Sequence, residues 1–128
     1  MTQATRLKEQ GEVMSIERGQ HFELVVREYL ESRGLQFLAR NVRYRFGELD
    51  LVMRDHDELV FVEVRARQSN QFGPALASVD ARKRKRLRFA AQRYLMQFCS
   101  RVPRCRFDLV TFEGGEIGWI PNAFDAQD

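Results

Sequence analysis

An α/β domain is what this sequence predicts, with elements in the order α-β-β-β-α-β-β. Two helical faces and a set of strand-like segments between and after them carry that reading. Phe22, Val25, Val26, Tyr29 and Leu30 recur at i, i+3, i+4, i+7 and i+8, as one face of a helix does. Leu87, Ala90, Ala91, Tyr94, Leu95 and Phe98 repeat that spacing later in the chain. The stretches between and after them are rich in β-branched and aromatic residues and are punctuated by Gly, Asn and Pro.

The first helix is expected over 16–33, stopped by Gly34, after a flexible tail at 1–15. "LQFLARNVRYRF" (35–46) reads as a strand in which Asn41 marks a bulge or break. A hairpin follows, about 47–54 and 58–67, and then "QSNQFGPALASVD", which is loop chemistry. Phe72, Gly73 and Pro74 in that loop are expected to return over the sheet beside any site. The second helix is expected at about 80–99 with Ser78 or Asp80 as N-cap. "CRFDLVTF" is a strand, Gly114-Gly115 a tight turn and "EIGWI" a short last strand, leaving 122–128 as a tail. The domain is thus set at 16–121.

With 128 residues, 44% of them hydrophobic and 30% charged, the chain can close one core and is not disordered in composition. No apolar run reaches the roughly 18 residues that span a bilayer, and the first residues lack the apolar core of a signal peptide. The expectation is a cytoplasmic protein with no membrane partner. Cys99 and Cys105 have neither CxxC spacing nor a nearby His, and are expected to be buried thiols. His21 and His56 lack ligand spacing too.

Charge is unevenly placed. "RKRKRLR" at 82–88 holds six cations, Arg82, Lys83, Arg84, Lys85, Arg86 and Arg88. Removing them takes the net charge from +3 to −3. Cations in the first turns of a helix oppose its dipole and repel one another. Phosphate relieves both penalties, because backbone N–H groups at that end already point at an anion. The run is therefore read as a nucleic-acid backbone contact, with salt-dependent affinity and no base readout. Arg40, Arg43 and Arg45 are placed to extend it. The competing reading is a basic helix that docks an acidic protein partner.

The hairpin carries the remaining chemistry. By strand alternation Glu48, Asp50 and Val52 share one face, and Leu49, Leu51 and Met53 the other. Phe61, Glu63, Arg65 and Arg67 alternate with Val60, Val62, Val64 and Ala66. If paired positions sum to 113, Asp50 faces Glu63 and Glu48 faces Arg65, which needs an even-numbered turn such as His56-Asp57. Two carboxylates about 5 Å apart at Cβ repel. Either Arg65 and Arg67 neutralise them, or a divalent cation does. Mg²⁺ takes one or two carboxylates and completes its shell with water and phosphate. Glu48 reads as a partner for Arg65, and Asp108 as half of an ion pair with Arg106 or Arg104. Glu23 sits roughly 90° from the centre of its helix's apolar stripe, at a rim from which it can reach the sheet.

Asp50, Glu63 and Arg65 resemble the PD-(D/E)XK signature of restriction-endonuclease-like nucleases. "RGQHFE", "LARNVRYRFGELDLV", "LVFVEVRAR", "FGPALASVDARKRKRLRFAAQRYL" and "RFDLV" together resemble one bacterial family, the uncharacterised, nuclease-like YraN family, over roughly residues 16–112. The resemblance implies a restriction-endonuclease-like αβββαβ core, a mixed sheet flanked by helices, similar to that of archaeal Holliday junction resolvases. It implies a Mg²⁺- or Mn²⁺-dependent endonuclease acting on branched or structured DNA. Carried over, the catalytic set is Glu23, Asp50, Glu63 and Arg65. The metal set is Asp50, Glu63, the Val64 carbonyl and Glu23. A two-fold homodimer would suit a four-way junction. The relatives usually have lysine where this chain has Arg65. An arginine stays protonated and is a rigid fork, so a lysine-type base is excluded at that position. A catalytically inactive nucleic-acid-binding module on the same fold is the alternative.

Overall fold

The computed structural model describes residues 12–67 and 79–125. It is a mixed α/β fold in which a five-stranded sheet is flanked by two helices. The order is α1 (Glu12–Ser32), β1 (Gln36–Tyr44), β2 (Gly47–Asp55), β3 (Glu58–Arg67), α2 (Ala81–Phe98), β4 (Cys105–Glu113) and β5 (Glu116–Phe124). Sheet order follows chain order, β1-β2-β3-β4-β5. Every neighbouring pair is antiparallel except β3 and β4, which run parallel because α2 carries the chain back between them.

Each helix covers one face. Val26 and Leu30 of α1 bury against Leu51, Met53, Val60, Val62 and Val110. Leu87, Ala90, Ala91 and Tyr94 of α2 bury against Leu49, Val52, Phe61, Phe107 and Leu109. The hairpin therefore has apolar residues on both sides, and its polar face is partly roofed by α2. Strict alternation also fails at one place. Leu49 and Val52 join the α2 cluster while Leu51 joins the α1 cluster, so β2 changes its presentation around Asp50.

Several expected boundaries move. α1 begins at Glu12, so 12–15 are helical where a tail was expected. Residues 1–11 lie outside the described residues, as does the loop at 68–78 with Phe72, Gly73, Pro74 and Ser78. Asp80 is the N-cap of α2, its carboxylate accepting from Lys83 N at 2.9 Å. Asn41 has a left-handed φ of 51°, but the register of β1 shifts at Leu38, between Phe37 and Ala39.

β5 outruns the predicted "EIGWI". A register irregularity faces Asp108, whose carboxylate accepts from Asn122 N at 2.9 Å. Pairing then resumes at Phe107 and Phe124, whose rings stack at 4.9 Å. Pro121 is tolerated because β5 is an edge strand. Asp108 also accepts from Arg106 and from Trp119 Nε1, and Arg106 reaches on to Asp55 and Glu58 at the β2–β3 turn. Its role is structural, as the sequence indicated. Cys99 and Cys105 are free thiols, half-buried rather than buried.

Candidate metal centre and nucleic-acid interface

The β2–β3 register is the one in which paired positions sum to 113, from Asp55 and Glu58 to Leu51 and Val62. His56 and Asp57 make the two-residue turn, with His56 at φ 58°. The ladder then stops, although β2 stays paired with β1 to Gly47 and β3 with β4 to Arg67. The sheet is therefore split between β2 and β3 at this end. In the split, Asp50 Oδ2 accepts from Val64 N at 2.8 Å, a side chain standing where a neighbouring strand's carbonyl would be.

Glu63 follows Val62 into the same opening and is only 4% exposed. Burial, and next the charge of Asp50, push its pKa up to about 8. Burial likewise raises Asp50, against the Val64 N–H, Glu63 and Lys83, which lower it. Glu23 of α1 is pushed up to about 7 by burial and then by Asp50, while the Asn41 side chain hydrogen-bonds to it and opposes the shift. Its Oε1 is buried without a hydrogen-bond partner among the described residues. Three carboxylates thus lean toward protonation for one shared reason. Glu63 is buried and Asp50 and Glu23 half-buried, and the local cations offset only part of the cost of keeping them charged there.

Among the described residues, two cations reach Glu63. Arg65 Nε and Lys83 Nζ each lie 3.5 Å from Glu63 Oε2. Lys83 belongs to the basic run, and the sequence reading assigned it to phosphate. Instead it turns inward from the first turn of α2 onto the carboxylate. The Asp80 cap on Lys83 N fixes the backbone from which it reaches. Glu48 does not meet Arg65. It is exposed on β2 and pairs at 3.5 Å with Arg43, its direct neighbour on β1.

The rest of the run divides. Arg82, Lys85 and Arg86 are exposed. Arg84 turns back, Nη1 donating to Val79 O at 2.8 Å, and Arg88 is half-buried. Arg43 and Arg45 are exposed at the tip of the β1–β2 hairpin. That tip is held against α2 by Gly47. A Cβ there would lie 2.2 Å from Arg86 O, so only glycine permits the approach.

The oxygen donors suit a hard divalent cation, and the unpartnered Glu23 oxygen is what such a site leaves before an ion or water arrives. Among the described residues, no three His, Cys, Asp or Glu side chains are gathered at metal-ligand spacing. Asp50 and Glu63 come together, whereas Glu23 feels the charge of Asp50. A Mg²⁺ ion needs no more than such a pair when water and phosphate fill its shell. Asn41 was not foreseen as part of this site, and the inward turn of Lys83 is something no feature of the sequence shows. An asparagine inside a strand, a residue type that tolerates the left-handed region, was the available signal for the first.

The model of the uncharacterised protein family UPF0102 matches residues 22–112. A UPF0102 protein of Shewanella sediminis is 44% identical over 118 residues, which is 92% of this chain and all of the relative. The chain belongs to the UPF0102 (YraN) family. UPF0102 proteins of Yersinia pseudotuberculosis and Yersinia pestis bv. Antiqua are each 47% identical over 111 residues, 85% of this chain and 95% of theirs. The UPF0102 match runs from α1 through nearly all of β4 and so contains every carboxylate of the split. Among the described residues, no helix is long and apolar enough to cross a membrane.

Proposed function

We propose that this chain is a metal-dependent endonuclease of the PD-(D/E)XK type that acts on branched or structured DNA. The observation that carries the reading is the split between β2 and β3. It holds two carboxylates that repel each other, one buried and one half-buried, beside the basic start of α2. A dication held between the two carboxylates would relieve their repulsion in place of the proton that Asp50 and Glu63 otherwise share.

Asp50 and Glu63 would hold Mg²⁺ or Mn²⁺, with the Val64 carbonyl and Glu23 as accessory donors. The bound ion supplies the charge that polarises a phosphodiester and activates water for its hydrolysis. The chain's own residues do the rest. The Val64 N–H fixes the orientation of Asp50. Arg65 and Lys83 hold positive charge beside Glu63, where negative charge grows on the phosphate during attack. Arg82, Lys85, Arg86, Arg43 and Arg45 would hold the backbone, fixing position without reading sequence. If the substrate is a four-way junction, a two-fold pair of chains matches its symmetry.

One observation favours a second reading, a nucleic-acid-binding module without catalysis. Arg65 stands in the place of the usual lysine and cannot act as a base. The deciding experiment incubates labelled linear, flapped and four-way DNA with Mg²⁺ or Mn²⁺. It runs wild type beside Asp50→Ala and Glu63→Ala. Metal-dependent cleavage lost in both variants supports the nuclease. Binding without cleavage supports the module, and cleavage that survives both changes overturns the assignment of the site.

A further inference from the structure

Phe46 is an exposed ring with no core to join. It occupies the second place of the two-residue turn between Tyr44 and Gly47, and 57% of it remains open to solvent. Two-residue hairpin turns ordinarily take Asn, Asp or Gly, whose backbones suit the turn. Here both places hold large side chains, Arg45 and Phe46. Neither has the positive φ that would explain the choice by conformation. The Phe46 ring meets the edge of Phe89 on α2 at 5.7 Å, and the Arg45 guanidinium lies over it at 5.1 Å. Gly47 pins this tip to α2 at Arg86. The result is an aromatic ring backed by Phe89, with a guanidinium over it and more than half of its surface open to solvent.

This ring sits close to the split. Asp50 is four residues along β2 from Phe46, roughly 13 Å of extended chain. Lys83 is six residues from Phe89 along α2, roughly 9 Å of helix rise. Both paths leave a ring within a few nucleotides of the carboxylates. A π-face next to guanidinium groups is the pairing that single-stranded nucleic acid selects, with bases stacking on the ring and phosphates held by the cations. A duplex offers no base face at its side and could use only the charges.

We propose that Phe46, backed by Phe89 and Arg45, is a stacking site for an unpaired base, so that the preferred substrate carries single-stranded nucleotides beside the scissile phosphate. This rests on the nuclease reading for its geometry, but binding alone tests it. Fluorescence anisotropy of the full chain, in chelator so that nothing is cut, compares a short oligothymidylate with a duplex of equal length. Phe46→Leu keeps an apolar side chain and removes the π-face. It should weaken single-strand binding about tenfold and duplex binding by less than about twofold, at unchanged Tm. Phe46→Trp should retain single-strand affinity, and its added fluorescence should be quenched by the oligonucleotide and not by the duplex. Equal losses on both DNAs, or no loss on either, overturn the stacking site. If that happens while metal-dependent cleavage persists, the nuclease reading stands without it. A wild-type chain that binds neither DNA overturns both.

Discussion

Lys83 Nζ and Arg65 Nε approach the same oxygen of Glu63, each at 3.5 Å, from a helix and from a strand. The charge of Lys83 lowers Asp50 as well as Glu63, so it serves both members of the carboxylate pair. In the proposed nuclease, Lys83→Met should lower kcat by about 10²-fold or more, the scale for losing one preorganised charge at a reacting centre. Arg65→Met should cost less. Lys85→Ala, on the exposed part of the run, should leave kcat alone, raise KM and reduce the salt slope of DNA binding by about one. Steady-state cleavage against salt separates the three. Equal kcat losses for Lys83 and Lys85 would mean that the run acts only as a phosphate patch.

The raised carboxylates set the pH dependence of folding. Glu23 and Glu63 titrate near 4.5 when unfolded, but at about 7 and about 8 when folded. The folded chain therefore binds more protons between those values, and stability falls as pH rises through that window. The contribution is fully present below about pH 4.5 and gone above about pH 8. Tm should drop by about 5 °C between pH 5.5 and 8.5 from these groups. Glu63→Gln should flatten the profile and be the more stable protein at pH 8.5. A Tm that climbs over this range in wild type but not in the variant would reverse the assignment.

Metal should act in the opposite sense. Mn²⁺ or Mg²⁺ competes with protons for Asp50 and Glu63, so its stabilising effect should grow with pH. Thermal scans with and without Mn²⁺ should diverge most at pH 8.5, and Asp50→Asn should remove the divergence. Calorimetric titration should show proton release on binding near pH 7. Stabilisation that persists in Asp50→Asn would move the ion elsewhere.

How far the sequence revealed all this depends on whether a contact is local. The register of β2 and β3 was legible because the charged turn and the alternation of Val60, Val62 and Val64 leave few solutions. Arg106 and Asp108 were legible because residues two apart on a strand share a face. Lys83 was not, since a cation in a basic run looks the same whether it faces water or Glu63. The Glu48 partner was misjudged because pairing with Arg65 assumes the β2–β3 ladder continues, and it stops three residues earlier, at Leu51 and Val62. The reach of β5 past Pro121 depends on Asp108 receiving Asn122 N, a contact between strands that no local pattern encodes.

Gly47 should tolerate no side chain. Its φ is not in the left-handed region, so alanine meets no backbone obstacle. The obstacle is Arg86 O at 2.2 Å from the new Cβ, which is main chain and cannot rotate away. α2 would have to withdraw from β2, at a cost of about 1–3 kcal/mol. The same withdrawal would carry Lys83 away from Glu63. Gly47→Ala should therefore lower the urea midpoint and reduce cleavage beyond what the lost stability explains, measured at a temperature where the variant is fully folded.

Asp108 is the opposite case, a buried charge with no part in the proposed chemistry. It is fully buried and accepts from Arg106 Nε at 3.0 Å, Trp119 Nε1 at 2.9 Å and Asn122 N at 2.9 Å. Asp108→Ala strips the partner from four donor groups on three residues, two of them on a guanidinium of a side chain only 13% exposed. Breaking a buried pair from one side costs about 3–5 kcal/mol, because the remaining charge stays desolvated. Arg106 keeps Asp55 and Glu58 at 3.0 Å, so the loss should fall toward the lower end of that range. Urea denaturation should show a lower midpoint with an unchanged m-value. Wherever the variant remains folded, Mn²⁺ affinity should equal that of wild type, since Asp50, Glu63 and Lys83 keep their own contacts. A matching loss of Mn²⁺ affinity would tie the β4–β5 network to the split and contradict the division of labour between the two acidic clusters.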